Sequence, residues 1–232
     1  MSFNNYGNRF QQTTPIVLNL IIINVLVYLA QMVTSGSVGS DPAGDLFALH
    51  HYKSTYFQPY QIVTHMFMHG GFFHLAFNML ALWMFGTMVE RVWGPKRFLI
   101  FYFVCGLGAA FFQLGSYAYD FWQLDHNILS EGLNAKYQDA LRSNYTVGAS
   151  GAIMGILAAF GYLFPNTEMI IIPIPVPIKA KWAISGMILL DVFGGVVKVQ
   201  GDNIAHFAHI GGALIGFLLV LYWNKSNKKT FY

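Results

Sequence analysis

Apolar runs of about 17 to 25 residues recur six times along the chain, separated by short stretches of charge, Gly, Pro and Asn. They cover roughly Pro15 to Val33, Phe73 to Val89, Arg97 to Tyr117, Val147 to Phe164, Ala180 to Val197 and Ile204 to Trp223. This is the length at which a helix rising 1.5 Å per residue crosses a hydrocarbon layer. A further apolar stretch, Met169 to Ile178, is too short to span, and Pro173, Pro175 and Pro177 forbid a regular helix. It reads as a connecting loop pressed on the membrane interface. Met1 to Gln12 is polar, and the run behind it lacks a small-residue cleavage site, so it reads as a span and not as a cleaved leader. The predicted fold is an all-α polytopic membrane protein. A short N-terminal segment (1–14) precedes a six-transmembrane-helix domain (15–223), and a short tail (224–232) follows.

Composition agrees. Of 232 residues, 55% are hydrophobic and 10% charged, against about a quarter charged in a soluble domain. Six spans and their loops leave no room for a separate soluble domain. A net charge of +3 is too small to suggest nucleic acid as a partner. The lone Cys105 lies in an apolar stretch and excludes an intrachain disulfide. Six spans put both termini on one side, and the basic residues sort accordingly. Arg9, Arg91, Lys96, Arg97, Lys179, Lys181, Lys225, Lys228 and Lys229 fall on that side; Lys53, Lys136, Arg142 and Lys198 fall on the other. By the positive-inside rule both termini are cytoplasmic, in a multi-pass protein of the cell (inner) membrane. The acidic loop Tyr119 to Thr146, with Asp120, Asp125, Glu131 and Asp139, then lies outside.

One consequence is chemical. Spans 2, 4 and 6 run in the same direction, so their N-terminal halves share a depth. His74, Asn78, Ser150 and His209 all lie early in those spans, on the order of 5 to 15 Å below the outer boundary. Ionisable groups at that depth are costly and point to function. A serine hydroxyl becomes a useful nucleophile when a base takes its proton. Ser150, in Gly148-Ala149-Ser150-Gly151, is the candidate nucleophile, and His209 the candidate base. The Ser150 N–H at a helix start, with the side-chain donors of His74 and Asn78, suits a developing oxyanion. Taken alone, Ser150 would pass for a small packing residue. Small residues spaced by four, Gly151 and Gly155 in span 4 and Ala208, Gly212 and Gly216 in span 6, permit the close helix crossing such a contact needs.

No carboxylate sits at a spacing that obviously orients His209, so a dyad is expected and not a triad. Asp191 in span 5 is expected near the outer surface, His206 as a structural histidine at a loop end, and Asn19 and Asn24 as interhelical polar contacts. His65 and His69 are read as bracing the outer loop. With no His-Glu-x-x-His run and no carboxylate or thiolate beside the histidines, neither a metal nor another cofactor is expected.

These residues together resemble the rhomboid intramembrane serine proteases. His65-Met-Phe-Met-His69-Gly-Gly-Phe-Phe-His74-Leu-Ala-Phe-Asn78 looks like that family's second helix, Gly148-Ala149-Ser150-Gly151 like its Gly-x-Ser-Gly motif, and Ala208-His209-Ile-Gly-Gly212-Ala-Leu-Ile-Gly216 like its last helix. Glu90 with Gly94, Arg97 and Phe98 is similar to the turn after the second helix. The resemblance implies a six-helix bundle of the basic bacterial form, with Ser150 as nucleophile and His209 as base. His74, Asn78 and the Ser150 N–H would form the oxyanion hole. It implies membrane-protein substrates cut in or near a transmembrane helix, a first loop (Thr34 to Gln61) partly in the outer leaflet, and a lateral gate at span 5 with Phe193. Met154 stands where the family often has an aromatic ring, and Tyr60-Gln61 where it has a tryptophan-led pair. Two alternatives stay open at this stage: a rhomboid-like protein that binds membrane helices without cutting them, and a transporter. The latter calls for inner-half polar residues and inverted repeats, in which the chain is poor. Substrate identity and oligomeric state are not legible in the chain.

Overall fold

Proline is at home in the first turn of a helix, where its missing N–H is not needed. Pro15, Pro42 and Pro95 each open one here: α1 (Pro15–Thr34), α2 (Pro42–Phe47) and the long α6 (Pro95–Asn127). Between them lie the two-residue strand β1 (Leu49–His50), α3 (Gln61–Thr64) with a 3-10 turn over His65–Phe67, and a rod from Phe72 to Trp93. The rod consists of α4 (Phe72–Ala81), a π turn at Leu82–Gly86 and α5 (Thr87–Trp93). Beyond α6 come β2 (Tyr145–Thr146), α7 (Ser150–Leu163), the hairpin β3 (Glu168–Ile171) and β4 (Ile174–Lys179), α8 (Ala180–Val197) and α9 (His206–Asn227). The computed structural model describes residues 14–34, 41–127, 141, 144–171, 174–197 and 204–227. Arg9, Glu131, Lys136, Asp139, Arg142, Pro173, Lys198, Lys228 and Lys229, with most of the two terminal segments and part of the first loop (35–40), lie outside the described residues.

Among the described residues, five helices are long and apolar enough to cross a bilayer: Pro15–Thr34, Phe72–Trp93, Pro95–Asp120, Ala180–Val197 and His206–Asn224. The sixth expected span, α7, is a 14-residue helix, about 21 Å long. It begins at Ser150, three residues later than the hydrophobic pattern suggests. Its neighbours enclose it, and Gly151 through Phe160 are all buried. The outside of the bundle is apolar, with Leu26, Phe73, Phe77 and Trp83 exposed, while Asn24, Asn78, Glu90 and Gln113 are inside. That inversion suits a lipid solvent, which gives polar groups no partners. The structure is a mostly helical polytopic membrane fold, as expected.

Two local expectations change. Met169 to Ile178 is not a loop but an antiparallel ribbon, pairing Glu168 with Lys179, Met169 with Ile178 and Ile171 with Ile174. Proline excludes a helix, yet in a two-stranded ribbon each strand has a free edge where a missing N–H costs nothing. Asn19 is exposed on α1, whereas Asn24 is fully buried and donates, within α1, to the Leu20 carbonyl at 2.7 Å. In the first loop Gln61 does the anchoring. Its amide donates to the carbonyls of Leu46 (3.1 Å) and Tyr56 (2.8 Å), and its Oε1 accepts from the N–H groups of Gln58 (3.2 Å) and His50 (3.4 Å).

Two further ties hold the frame. Glu90, 1% exposed, offers its carboxylate to the N–H groups of Ile16 (3.0 Å) and Val17 (2.9 Å). It thereby caps α1 from a different helix, a favourable place for negative charge. Across the end of the bundle where α7 begins, β1 pairs with β2 (Leu49 with Thr146, His50 with Tyr145), and the Tyr145 hydroxyl donates to Asp41 at 3.0 Å. The strand leading into α7 is thus fastened to the first loop.

Candidate active site

The approach to α7 is set by Gly148. Its φ of +127° lies in a region that side chains avoid, and its N–H donates to the His65 carbonyl at 2.9 Å. A Cβ at this position would lie 2.8 Å from His74 Nε2 and 3.5 Å from Ser150 Oγ, so the backbone here runs directly between those two side chains. The bend brings Ser150 to the first position of α7. There its N–H, like those of Gly151 and Ala152, has no preceding turn to bond to.

Close packing brings the histidine in. A Cβ on Gly212 would collide with the Gly151 carbonyl, and one on Gly155 would stand 2.9 Å from the Gly212 carbonyl. A Cβ on Gly216 would lie 2.6 Å from Gly155 Cα. The two glycine ladders interlock rung by rung. On the other side of α9, Gly211 packs against α6, where a Cβ would be 2.9 Å from the Gly108 carbonyl. Backbones this close let a short side chain reach across: Ser150 Oγ and His209 Nε2 are 2.8 Å apart. Two groups from spans 59 residues apart in sequence are joined as the sequence suggests.

His74 is on the opposite side of Ser150, in the first turn of α4. The Gly70 N–H can only donate, and it points at His74 Nδ1 (3.4 Å). That leaves His74 Nε2 as the protonated nitrogen, next to the Gly148 bend. Asn78, one turn further along α4, is buried, and its Nδ2 has no hydrogen-bond partner among the described residues. A buried donor left open is costly to a fold and useful to an arriving anion. His65 and His69 are below 3% exposed; His65 Nδ1 bonds the Gln61 carbonyl at 2.9 Å, and the His69 ring meets His74 edge-on at 5.2 Å. Burial holds both rings down to about 4, with the neighbouring His74 contributing for His69. His65 thus braces the end of the first loop as expected, whereas His69 is tied through its backbone to α1 and not to the loop: Gln31 accepts from the His69 N–H (3.0 Å) and donates to its carbonyl (3.2 Å).

Asp191 overturns the expectation that no carboxylate faces His209. It is not simply surface-exposed: its side chain is 13% exposed, and Oδ1 lies 3.0 Å from His209 Nδ1 and 2.8 Å from His206 Nδ1. His206 opens α9, and its ring is seated on α8 at Gly194, where a Cβ would fall 2.5 Å from the imidazole. A signal for this existed in the sequence. His206 and His209 are spaced by three, on one helix face, and Gly194 and Gly195 follow Asp191 by one turn. Two imidazoles and a carboxylate meet here, but both Nδ1 atoms aim at one oxygen. Among the described residues no three His, Cys, Asp or Glu side chains are placed to hold a metal ion. Met154 is buried one turn below Ser150, and Phe193 is 62% exposed on α8.

Comparison with known proteins accords with this architecture. The Rhomboid domain family model matches residues 56–226. Rhomboid protease AarA of Providencia stuartii is 31% identical over 209 residues, 88% of this chain and 70% of that protein. Rhomboid protein 1, mitochondrial, of Saccharomyces cerevisiae is 30% identical over 168 residues, 72% of this chain. Rhomboid protease GluP of Bacillus subtilis is 29% identical over 211 residues, 90% of this chain. The chain spans 43% of the yeast relative's length and 35% of the Bacillus one's. With a domain match over most of its length and the motifs gathered at one end of a polytopic bundle, the chain belongs to the rhomboid family of intramembrane proteases.

Proposed function

We propose that this chain is a serine endopeptidase that cleaves transmembrane segments of membrane-protein substrates within the bilayer, through Ser150, His209 and an acyl-enzyme. The observation that carries this reading is the 2.8 Å contact between Ser150 Oγ and His209 Nε2. In the proposed cycle Ser150 Oγ attacks the scissile carbonyl carbon as its proton passes to His209 Nε2. The developing oxyanion is met by His74 Nε2–H, the Asn78 amide and the Ser150 N–H. The C–N bond breaks as His209 returns the proton to the leaving amine, leaving an ester on Ser150. Water, deprotonated by His209, then attacks that ester. The new C-terminus departs, and Ser150 regains its proton.

The glycines also have a part in this reading: Gly148 aims the strand, while Gly151, Gly155, Gly212 and Gly216 set the distance between α7 and α9. The charge distribution favours both termini in the cytoplasm of a cell (inner) membrane, with Ser150 toward the outer leaflet. The principal competitor is a relative that binds membrane helices without cutting them. A fluorophosphonate probe separates the two, since it reacts with an activated serine and needs no known substrate. Wild type should label, and Ser150→Ala and His209→Ala should not. Equal labelling of all three, or none of wild type, refutes the assignment.

A further inference from the structure

The strongest feature outside the pair just described is the carboxylate that two imidazoles share. A neutral histidine has one protonated nitrogen, and the bond made by the other nitrogen decides which. A carboxylate can only accept, so the contact with Asp191 Oδ1 at 3.0 Å makes His209 Nδ1 the protonated site. His209 Nε2 then carries the lone pair, and it is this atom that faces the Ser150 hydroxyl. The same carboxylate oxygen accepts from His206 Nδ1 at 2.8 Å. His206 is in turn immobilised against Gly194 on the helix that carries Asp191. The chain of contacts Ser150–His209–Asp191–His206 links α7, α9 and α8, and each member limits the freedom of the next.

We propose that Asp191 is a positioning residue for the base, holding His209 in the tautomer and orientation that accept the serine proton, with His206 clamping the carboxylate from its other side. This rests on the serine-protease reading above and deepens it: the working unit is a carboxylate-supported dyad, and Asp191 itself never touches substrate. As the proton moves from Ser150 to His209, the ring becomes a cation beside an anion, which stabilises the charge pair where it forms. Asp191 also sits two residues from the exposed Phe193 on α8, so movement of that helix would be felt at the base.

The test uses the full chain in detergent or vesicles with a model single-span substrate. Asp191→Asn keeps the shape and removes the charge. Its kcat should fall by about 10²- to 10⁴-fold, as when the acid of a soluble triad is neutralised, with KM within about twofold of wild type. Asp191→Glu should recover a substantial part of the loss, and His206→Ala should cost less than Asp191→Asn. Nitrogen-15 spectra of the wild-type imidazoles at neutral pH, assigned with His209→Ala and His206→Ala, should show both rings protonated at Nδ1. This readout depends on neither activity nor the folding of the Asp191 variants. Asp191→Asn within about threefold of wild type in kcat, or His209 protonated at Nε2, overturns the proposal while leaving the Ser150–His209 reading intact. A wild type that neither labels nor cleaves, or labelling unchanged in Ser150→Ala, fails the parent reading and takes this proposal with it.

Discussion

His65 and His69 sit in the short connection ahead of α4, enclosed by protein and tied to it through their carbonyls: His65 to the Gly148 N–H and His69 to Gln31. Burial lowers both rings from the ordinary 6.5 to about 4. A group whose folded value is depressed binds fewer protons folded than unfolded between those limits, so stability rises with pH across the window. Thermal melting followed by circular dichroism should therefore show a loss of stability on acidification from pH 6.5 toward 4, and His69→Gln should reduce the slope. A flat profile in wild type would mean that these rings are hydrated. At this scale the sequence was only half legible. Ser150 and His209 announce themselves as nucleophilic or ionisable groups at membrane depth, and His74 and Asn78 as polar donors beside them. Asp191 announces itself as well, and the spacing of His206 and His209 hints at its partners, but the pairing itself depends on how α8 is rotated about its axis.

Among the elements, the decisive joint is between α7 and α9. Four-residue spacing of glycines is visible in the sequence because it repeats with the helical turn, and the structure interlocks those rungs directly. Gly212→Val adds a branched side chain where even a Cβ collides with the Gly151 carbonyl. The helices must separate, costing about 1–3 kcal/mol or more as overpacking, and the Ser150–His209 contact stretches with them. Labelling by a fluorophosphonate should fall sharply while the protein remains in the membrane fraction; wild-type labelling would show that the joint has slack. The hairpin of β3 and β4 was less legible. Pro175 and Pro177 speak against a helix, but they say nothing of the strand opposite, and the pairing of Glu168 with Lys179 is a tertiary fact.

For the molecule as a whole, polar ties cluster at the end of the bundle that carries Ser150. The first loop is knotted on Gln61, β1 is zipped to β2, and α1 is held at its other end by Glu90. Gln61→Ala removes four hydrogen bonds, two of them to the backbone carbonyls of Leu46 and Tyr56, a loss of about 1–3 kcal/mol. Because β1 also grips the strand leading to Gly148, the damage should reach the site. Proteolytic nicking between α2 and α3 should accelerate, and labelling of Ser150 should slow with it; a variant as resistant as wild type would relegate Gln61 to packing.

The shortness of α7 has a last consequence, for the second reactant of any hydrolysis. At about 21 Å it falls roughly 9 Å short of a hydrocarbon layer about 30 Å thick, and the chain above it, Tyr145 to Ala149, is not helical. Extended backbone at such depth survives only when enclosed by protein or wetted. Protein supplies that enclosure here, with β1 paired to Tyr145 and Thr146 and the Gly148 N–H bonded to the His65 carbonyl, and the shortness of the helix means that the one reagent lipid excludes would have less hydrocarbon depth to cross on its way to Ser150.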